Sequence, residues 1–139
     1  MLLAGSRKTR PKGLSTRPNA WDYAYELEVW RGGERIDPAV NYFVLMLDQL
    51  GLPTKYSCEG HPNGFYVVFE GPYEAAIEIH NAGFFSVQIE GPPYSWSIRK
   101  HIDYKGADSE RIDAMRWAAQ AWEQRFGPLD FDAVELVRG

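Results

Sequence analysis

A chain of 139 residues, 45% hydrophobic and 24% charged, has the size and composition of one folded domain, which excludes two independently cored ones. No apolar run approaches the roughly 18 residues of a membrane span, and a single cysteine excludes an internal disulfide. The net charge of −4 is unevenly spread, because residues 1–20 hold five basic residues and no acid. Since residues 1–4 are too short for the core of a signal peptide, we expect a cytoplasmic protein.

Residues 1–20 form the first segment, and their basic, Pro- and Gly-containing composition predicts a flexible tail. Two interpretations stay open for it: a basic arm that contacts nucleic acid or an acidic partner, and a solvated tail. Residues 21–139 are predicted to form a single domain with a net charge of about −9. An acidic domain disfavours nucleic-acid binding on its own surface, so we expect such contact only through the tail.

The first predicted element of the domain is a half-buried strand from Tyr23 to Trp30, where apolar and acidic residues alternate. Its inward residues would be Tyr25, Leu27 and Val29. The following residues 31–34 include two glycines and predict a turn, after which residues 35–36 continue as a hairpin.

A helix is predicted next, because Asp37 suits the N-cap, Pro38 the first helical position and Gly51 the end. Its apolar face consists of Val40, Phe43, Val44, Leu47 and Leu50. Residues 54–56 then predict a short strand, and the continuous apolar run of residues 65–69 predicts a central strand.

The second half of the domain repeats this alternation of elements. A helix is predicted over residues 73–81, ending at Gly83. Residues 84–90 and 94–99 alternate and predict an antiparallel pair, the first with Phe85, Val87 and Ile89 inward. A last long helix begins at Asp108 or Ser109 and carries one apolar stripe, made of Ile112, Met115, Ala119, Trp122 and Phe126. Residues 131–137 suit either a closing strand or a short helix.

This order of elements predicts an α+β fold in which the helices pack on one face of a mainly antiparallel sheet. The nearest named topology is a ferredoxin-like βαββαβ core with additions.

Residues whose side chains could take part in catalysis or binding are concentrated in one predicted loop, Ser57-Cys58-Glu59-Gly60-His61. A nearby imidazole lowers the pKa of a thiol and makes it a nucleophile, so Cys58, Glu59 and His61 are candidate catalytic residues. Ser57 and Gly60 are candidate binding residues, with Gly60 allowing a tight backbone conformation. The alternative is a structural turn in which Cys58 is a small buried residue.

A zinc site is a second alternative for this loop, since Cys58 and His61 are two residues apart, a common ligand spacing. His80 and His101 are the other histidines and show no paired spacing. We therefore expect neither a metal ion nor another cofactor.

The abundant aromatic residues mostly follow core periodicity. Tyr94 and Trp96 are candidate binding residues, because Trp96 could lie on an open sheet face, where aromatic side chains bind partners. The alternative places Trp96 in the core.

The run Gly51-Leu52-Pro53-Thr54-Lys55-Tyr56-Ser57-Cys58-Glu59-Gly60-His61-Pro62, followed by Gly64-Phe65-Tyr66, resembles a motif of small uncharacterised proteins from phages and mobile elements. The resemblance covers residues 37–70 and implies a genomic context rather than a mechanism.

Three hypotheses of function follow from these features. The first is a phage or mobile-element binding protein that contacts a host protein, as an inhibitor of a host defence complex similar to anti-CRISPR proteins. An acidic protein can compete with nucleic acid for a basic groove. The second is a small enzyme that uses Cys58, Glu59 and His61, with or without zinc. The third is a structural or regulatory domain.

Overall fold

The structure is a computed structural model, and it describes residues 19–58, 65–83, 85–91, 94–100 and 108–132. The helices within these residues are α1 Ala20–Tyr25, α2 Asn41–Gln49, α3 Tyr73–Ala82 and α4 Asp108–Phe126. The strands are β1 Trp30–Arg31, β2 Glu34–Arg35, β3 Thr54–Cys58, β4 Phe65–Glu70, β5 Ser86–Gly91 and β6 Ser95–Lys100. These elements confirm the predicted α+β class with an antiparallel sheet. Residues 1–18 of the predicted tail and residues 133–137 of the last predicted element lie outside the described residues.

The main sheet has the strand order β3-β4-β6-β5, and every neighbouring pair in it is antiparallel. Strand β4 lies inside the sheet, which confirms the central strand predicted from its continuous apolar run. Helix α3 connects β4 to the edge strand β5, and β6 then returns between them.

Strands β4 and β5, which α3 joins, lie on either side of β6, and this is the split βαβ arrangement of a ferredoxin-like core. Strand β3, which precedes β4 in the chain, occupies the other edge of the sheet beside β4. The predicted first strand, residues 23–30, is a helix and a loop followed by the first residue of β1.

A capping box and the burial of its inner face stabilise α1, the first helix that the structure describes. The Asn19 side chain accepts hydrogen bonds from the backbone N–H groups of Trp21 and Asp22. The Asp22 carboxylate accepts one from the Asn19 N–H at 2.8 Å, which completes a capping box. Trp21 and Ala24, three residues apart, are buried on the inner face of this helix. Capping and burial therefore override the apolar-polar alternation, which favours a strand.

The predicted hairpin turn is confirmed. Strands β1 and β2 pair as Trp30 with Arg35 and Arg31 with Glu34. Gly32 and Gly33 between them have φ angles of 62° and 82°. Positive φ at both central positions is the requirement of the tight turn whose twist matches paired strands.

Helix α2 is the centre of the core. Residues 41–47 are all buried, so the helix is enclosed on every side rather than only on its predicted face. A 3-10 turn, Pro38–Val40, precedes it, and Asp37 occupies the N-cap position of that turn without a side-chain capping bond. Gly51 ends the helix as predicted, with a φ angle of 79°.

Aromatic rings from three elements and the residue before β5 meet at Phe43 of α2. Its ring makes edge-on contacts with Phe65, Phe85 and Trp122 at centroid distances of 5.3, 5.1 and 5.1 Å. Phe65 and Phe85 stack on each other at 4.9 Å. This cluster joins α2, β4 and α4 at the helix-covered face of the sheet.

Two predicted core positions are corrected. Ile89 of β5 is 67% exposed instead of pointing into the core, because β5 is an edge strand. Ile112 of α4 is also partly exposed, whereas Met115, Ala119 and Trp122 of the same predicted stripe are buried.

The buried Tyr42 hydroxyl predicts a loss of stability at high pH. It donates a hydrogen bond to the Ala119 carbonyl at 3.2 Å, and burial, aided by the Glu123 charge, raises the pKa of this phenol far above its ordinary value. In the unfolded chain the phenol ionises near pH 10. The unfolded state therefore loses this proton first, and stability should fall by about 1.4 kcal/mol per pH unit above about pH 10.

Urea unfolding between about pH 9 and 11 measures this slope. We expect Tyr42→Phe to be less sensitive to pH and the exposed-site control Tyr73→Phe to match the unsubstituted protein. Equal slopes in all three proteins would show that Tyr42 is not the group responsible.

Candidate functional site

Strand β3 carries the start of the predicted catalytic loop. Cys58 is the last residue of β3, so the strand continues two residues beyond its predicted end. Ser57 is half-buried in the same strand. Of Cys58 the structure describes the strand position, while Glu59, Gly60 and His61 lie outside the described residues. Their proposed roles stay predictions.

The register of the sheet places Cys58 in a row that crosses all four strands. Cys58 pairs with Tyr66 of β4, Tyr66 with Arg99 of β6, and Arg99 with Ser86 of β5. This row lies at the end of the sheet where β3 stops and the loop to β4 begins. Tyr66 and Arg99 therefore lie in register with Cys58, the last described residue before that loop.

A polar network holds Arg99 in place within this row. Its guanidinium lies over the Tyr66 ring, 5.3 Å from the centroid, and donates to Glu90 Oε2 at 3.0 Å and to Ser97 Oγ at 2.9 Å. The Ser97 hydroxyl donates to the same Glu90 oxygen at 2.7 Å. The hydrogen bond from Ser97, and then the Arg99 charge, hold the pKa of Glu90 below its usual value. The opposite charges of Arg99 and Glu90 are therefore paired with each other, and these hydrogen bonds connect β5 to β6.

Metal binding finds no support in the part of the chain that the structure describes, where no three His, Cys, Asp or Glu side chains converge. His80 lies in the last turn of α3, a favourable place for an imidazole near the negative end of the helix dipole. His61 and His101 fall outside the described residues.

The structure places the two candidate aromatic residues differently. Trp96 is buried, and its indole N–H donates to the Gly71 carbonyl at 2.8 Å, which corrects the open-face interpretation in favour of the core alternative. Tyr94 is 60% exposed in the turn between β5 and β6.

A surface that sequence analysis missed runs through residues 23–34, here called the acidic segment. Tyr23 and Tyr25 are 61% and 42% exposed, and three exposed carboxylates accompany them, those of Glu26, Glu28 and Glu34. The interpretation of this stretch as a half-buried strand hid the surface, because that strand would point Tyr25 inward. The amino-acid composition could have indicated this surface, because two tyrosines and three glutamates occur within twelve residues.

The acidic segment is held against the core by side-chain contacts. Arg31 binds the Asp48 carboxylate of α2 through two guanidinium nitrogens. The buried Asn41 amide donates to the carbonyls of Ala24 and Leu27 at 2.9 and 3.0 Å. These bonds hold the backbone at residues 24–27 and the side chain of Arg31 against α2, so the exposed side chains of the segment project from an ordered backbone.

Basic side chains in the described part are largely neutralised within the chain. Five of them form ion pairs with carboxylates: Arg31, Lys55, Arg99, Arg116 and Arg125. In contrast, Glu26 and Glu34 take part in no ion pair among the described residues. The charge that the described residues display to a partner is therefore mainly negative.

Comparison with protein-family models, with curated proteins and with solved structures gives no significant match. None of the helices that the structure describes combines the length and the apolar character needed to cross a bilayer. Function is consequently inferred from the residues of this chain.

Proposed function

We propose that this protein is a binding protein that acts by protein–protein contact and presents its acidic segment to a basic surface of its partner. The observation that carries the proposal is the exposure of Tyr23, Tyr25 and three carboxylates on one anchored segment, while most described basic side chains are neutralised within the chain.

The chemistry of the acidic segment suits a partner that binds nucleic acid. Its carboxylates supply negative charge, as phosphates do, and steer association with a positively charged groove. Its tyrosines supply flat, amphipathic contact area at low conformational cost, which is why tyrosine is frequent at binding hot spots. A segment fixed before binding also loses less conformational entropy on association.

The class of partner that we propose is a host defence complex with a basic nucleic-acid groove. The resemblance of residues 51–66 to phage and mobile-element proteins supports this choice, and the net charge of about −9 in residues 21–139 is compatible with competition for such a groove. Inhibition would then follow from occupation of the groove, without catalysis.

The proposal is tested by capture from nuclease-treated bacterial lysate, followed by affinity measurement with the captured protein. The variant carries Glu26→Gln, Glu28→Gln and Glu34→Gln together. A matched control carries Glu70→Gln, Glu74→Gln and Asp132→Asn, which removes the same charge from exposed positions elsewhere. We expect the variant to bind at least about tenfold more weakly, equivalent to 1.4 kcal/mol, and the control to bind nearly as the unsubstituted protein does.

Nucleic acid added to the pre-formed complex should displace this protein, and higher salt should weaken binding. Equal losses in the variant and the control would show that only net charge matters. If nucleic acid does not displace this protein from the captured partner, the result contradicts binding in a nucleic-acid groove.

A further inference from the structure

Within the part of the chain that the structure describes, β5 is an edge of the main sheet whose outer side pairs with no strand. It has six residues, contains neither proline nor a basic residue, and exposes Ser86, Gln88 and Ile89. The opposite edge, β3, carries two features that discourage pairing and that β5 lacks: Pro53 before it and Lys55 within it. An open edge of this kind offers backbone hydrogen-bonding groups to a further strand.

The sequence of β5 is complementary to itself in the antiparallel direction. Pairing about a two-fold axis at Gln88 sets Val87 opposite Ile89 and Ser86 opposite Glu90, and each pair lies on one face of the sheet, as the pleat requires. Glu90 therefore meets a serine instead of another acid, and its charge is already paired with Arg99. The irregularity of β5 lies between Ile89 and Gly91, at Glu90, so the regular part of this pairing is centred on residues 87–89.

Apolar side chains flank the same edge on the helix-covered face. Ile89 pairs in register with Trp96, and the Tyr73 ring of α3 lies 5.9 Å from the Trp96 ring. Tyr73 is 61% exposed, and Ile77 stands one helical turn further along α3 and is also exposed. Two copies joined at β5 would bring these side chains of both α3 helices together and bury them. This apolar area would supplement the strand pairing, since a stable interface buries about 1,600 Å² in total.

We infer that two copies of this chain associate through β5 and form a continuous eight-stranded antiparallel sheet with both α3 helices on one face. The pairing rests on the β5 edge and not on the acidic segment, so it is independent of the proposed function.

Sedimentation equilibrium of the full chain at micromolar concentrations tests the association. We expect a mass twice the 15.9 kDa of one chain. Ile89→Lys should reduce it to that of one chain, because a buried lysine at this edge opposes pairing. Ile112→Lys, at an exposed isoleucine of α4, should leave the dimer intact. Circular dichroism and thermal melting show whether both variants remain folded.

A cross-link tests the register even if Ile89→Lys perturbs folding. In a Cys58→Ser background, Gln88→Cys places two thiols opposite each other at the two-fold axis, within the span of a disulfide. Mild oxidation should then yield a covalent dimer, whereas Gln124→Cys on the exposed surface of α4 should not.

If the unsubstituted protein has the mass of one chain at these concentrations, the inference is overturned. This holds even if β5 pairs with a strand of a different protein. A dimer that survives Ile89→Lys and does not form the Gln88→Cys cross-link also overturns it, because the interface would then lie elsewhere.

Discussion

Phe43→Ala is expected to lower the free energy of unfolding by about 3–5 kcal/mol, the range for removing a large aromatic side chain from a packed core. Phe43 is fully buried and contacts the rings of Phe65, Phe85 and Trp122. Alanine would remove all three edge-on contacts and leave a cavity between α2, β4 and α4. The loss is a large fraction of the 5–15 kcal/mol that typically stabilises a domain.

Urea denaturation followed by tryptophan fluorescence measures this change. Phe43→Leu should cost less, because it refills part of the cavity, and it provides a folded reference if the alanine variant does not fold. Tyr73→Ala is the exposed aromatic control and should change the unfolding free energy by less than about 1 kcal/mol. A loss below about 1 kcal/mol for Phe43→Ala would show that the aromatic cluster is not packed as described.

Asp22→Ala is expected to cost about 2 kcal/mol, because one carboxylate serves two interactions. It accepts the Asn19 backbone N–H within the capping box of α1 and also accepts Arg116 Nε of α4 at 2.9 Å. The Arg116 side chain is only 10% exposed, so it would lose the closer of its two described carboxylate partners in a largely dry position.

Two further variants separate these contributions. Asp22→Asn keeps an acceptor for the Asn19 N–H but removes the charge, so we expect an intermediate loss. Glu26→Ala, at the exposed residue that follows α1, should stay within about 0.5 kcal/mol of the unsubstituted protein. If Asp22→Ala is as mild as Glu26→Ala, the carboxylate does not hold α1 to α4.

Elements whose cause is local were predictable from the sequence. The two glycines at 32–33 predict the hairpin turn, Gly51 and Gly83 predict helix ends, and all four adopt positive φ angles that other residues disfavour. The apolar run of β4 also predicts its place, because a strand that is apolar on both faces is typical of the inside of a sheet. Both faces of β4 are largely buried in the structure.

Elements that depend on distant partners were not predictable in this way. The stretch from Tyr23 to Trp30 alternates like a strand, but Asp22 binds Arg116, 94 residues away, and the Trp21 indole donates to the Ala39 carbonyl. The resulting helix turns Tyr23 and Tyr25 outward and creates the acidic segment. The candidate site shows the same limit: sequence singled out Cys58, but only strand register sets it in line with Tyr66 and Arg99.

The sequence by itself determined the α+β class, most element boundaries and the acidic surplus, because turn glycines, apolar periodicity and charge act over a few residues. Only the tertiary structure decided the strand order, the burial of Trp96 and the exposure of Ile89. The alternation of side chains along a strand indicates which residues share a face of the sheet. Whether that face is covered depends on which strand becomes an edge and where the helices pack.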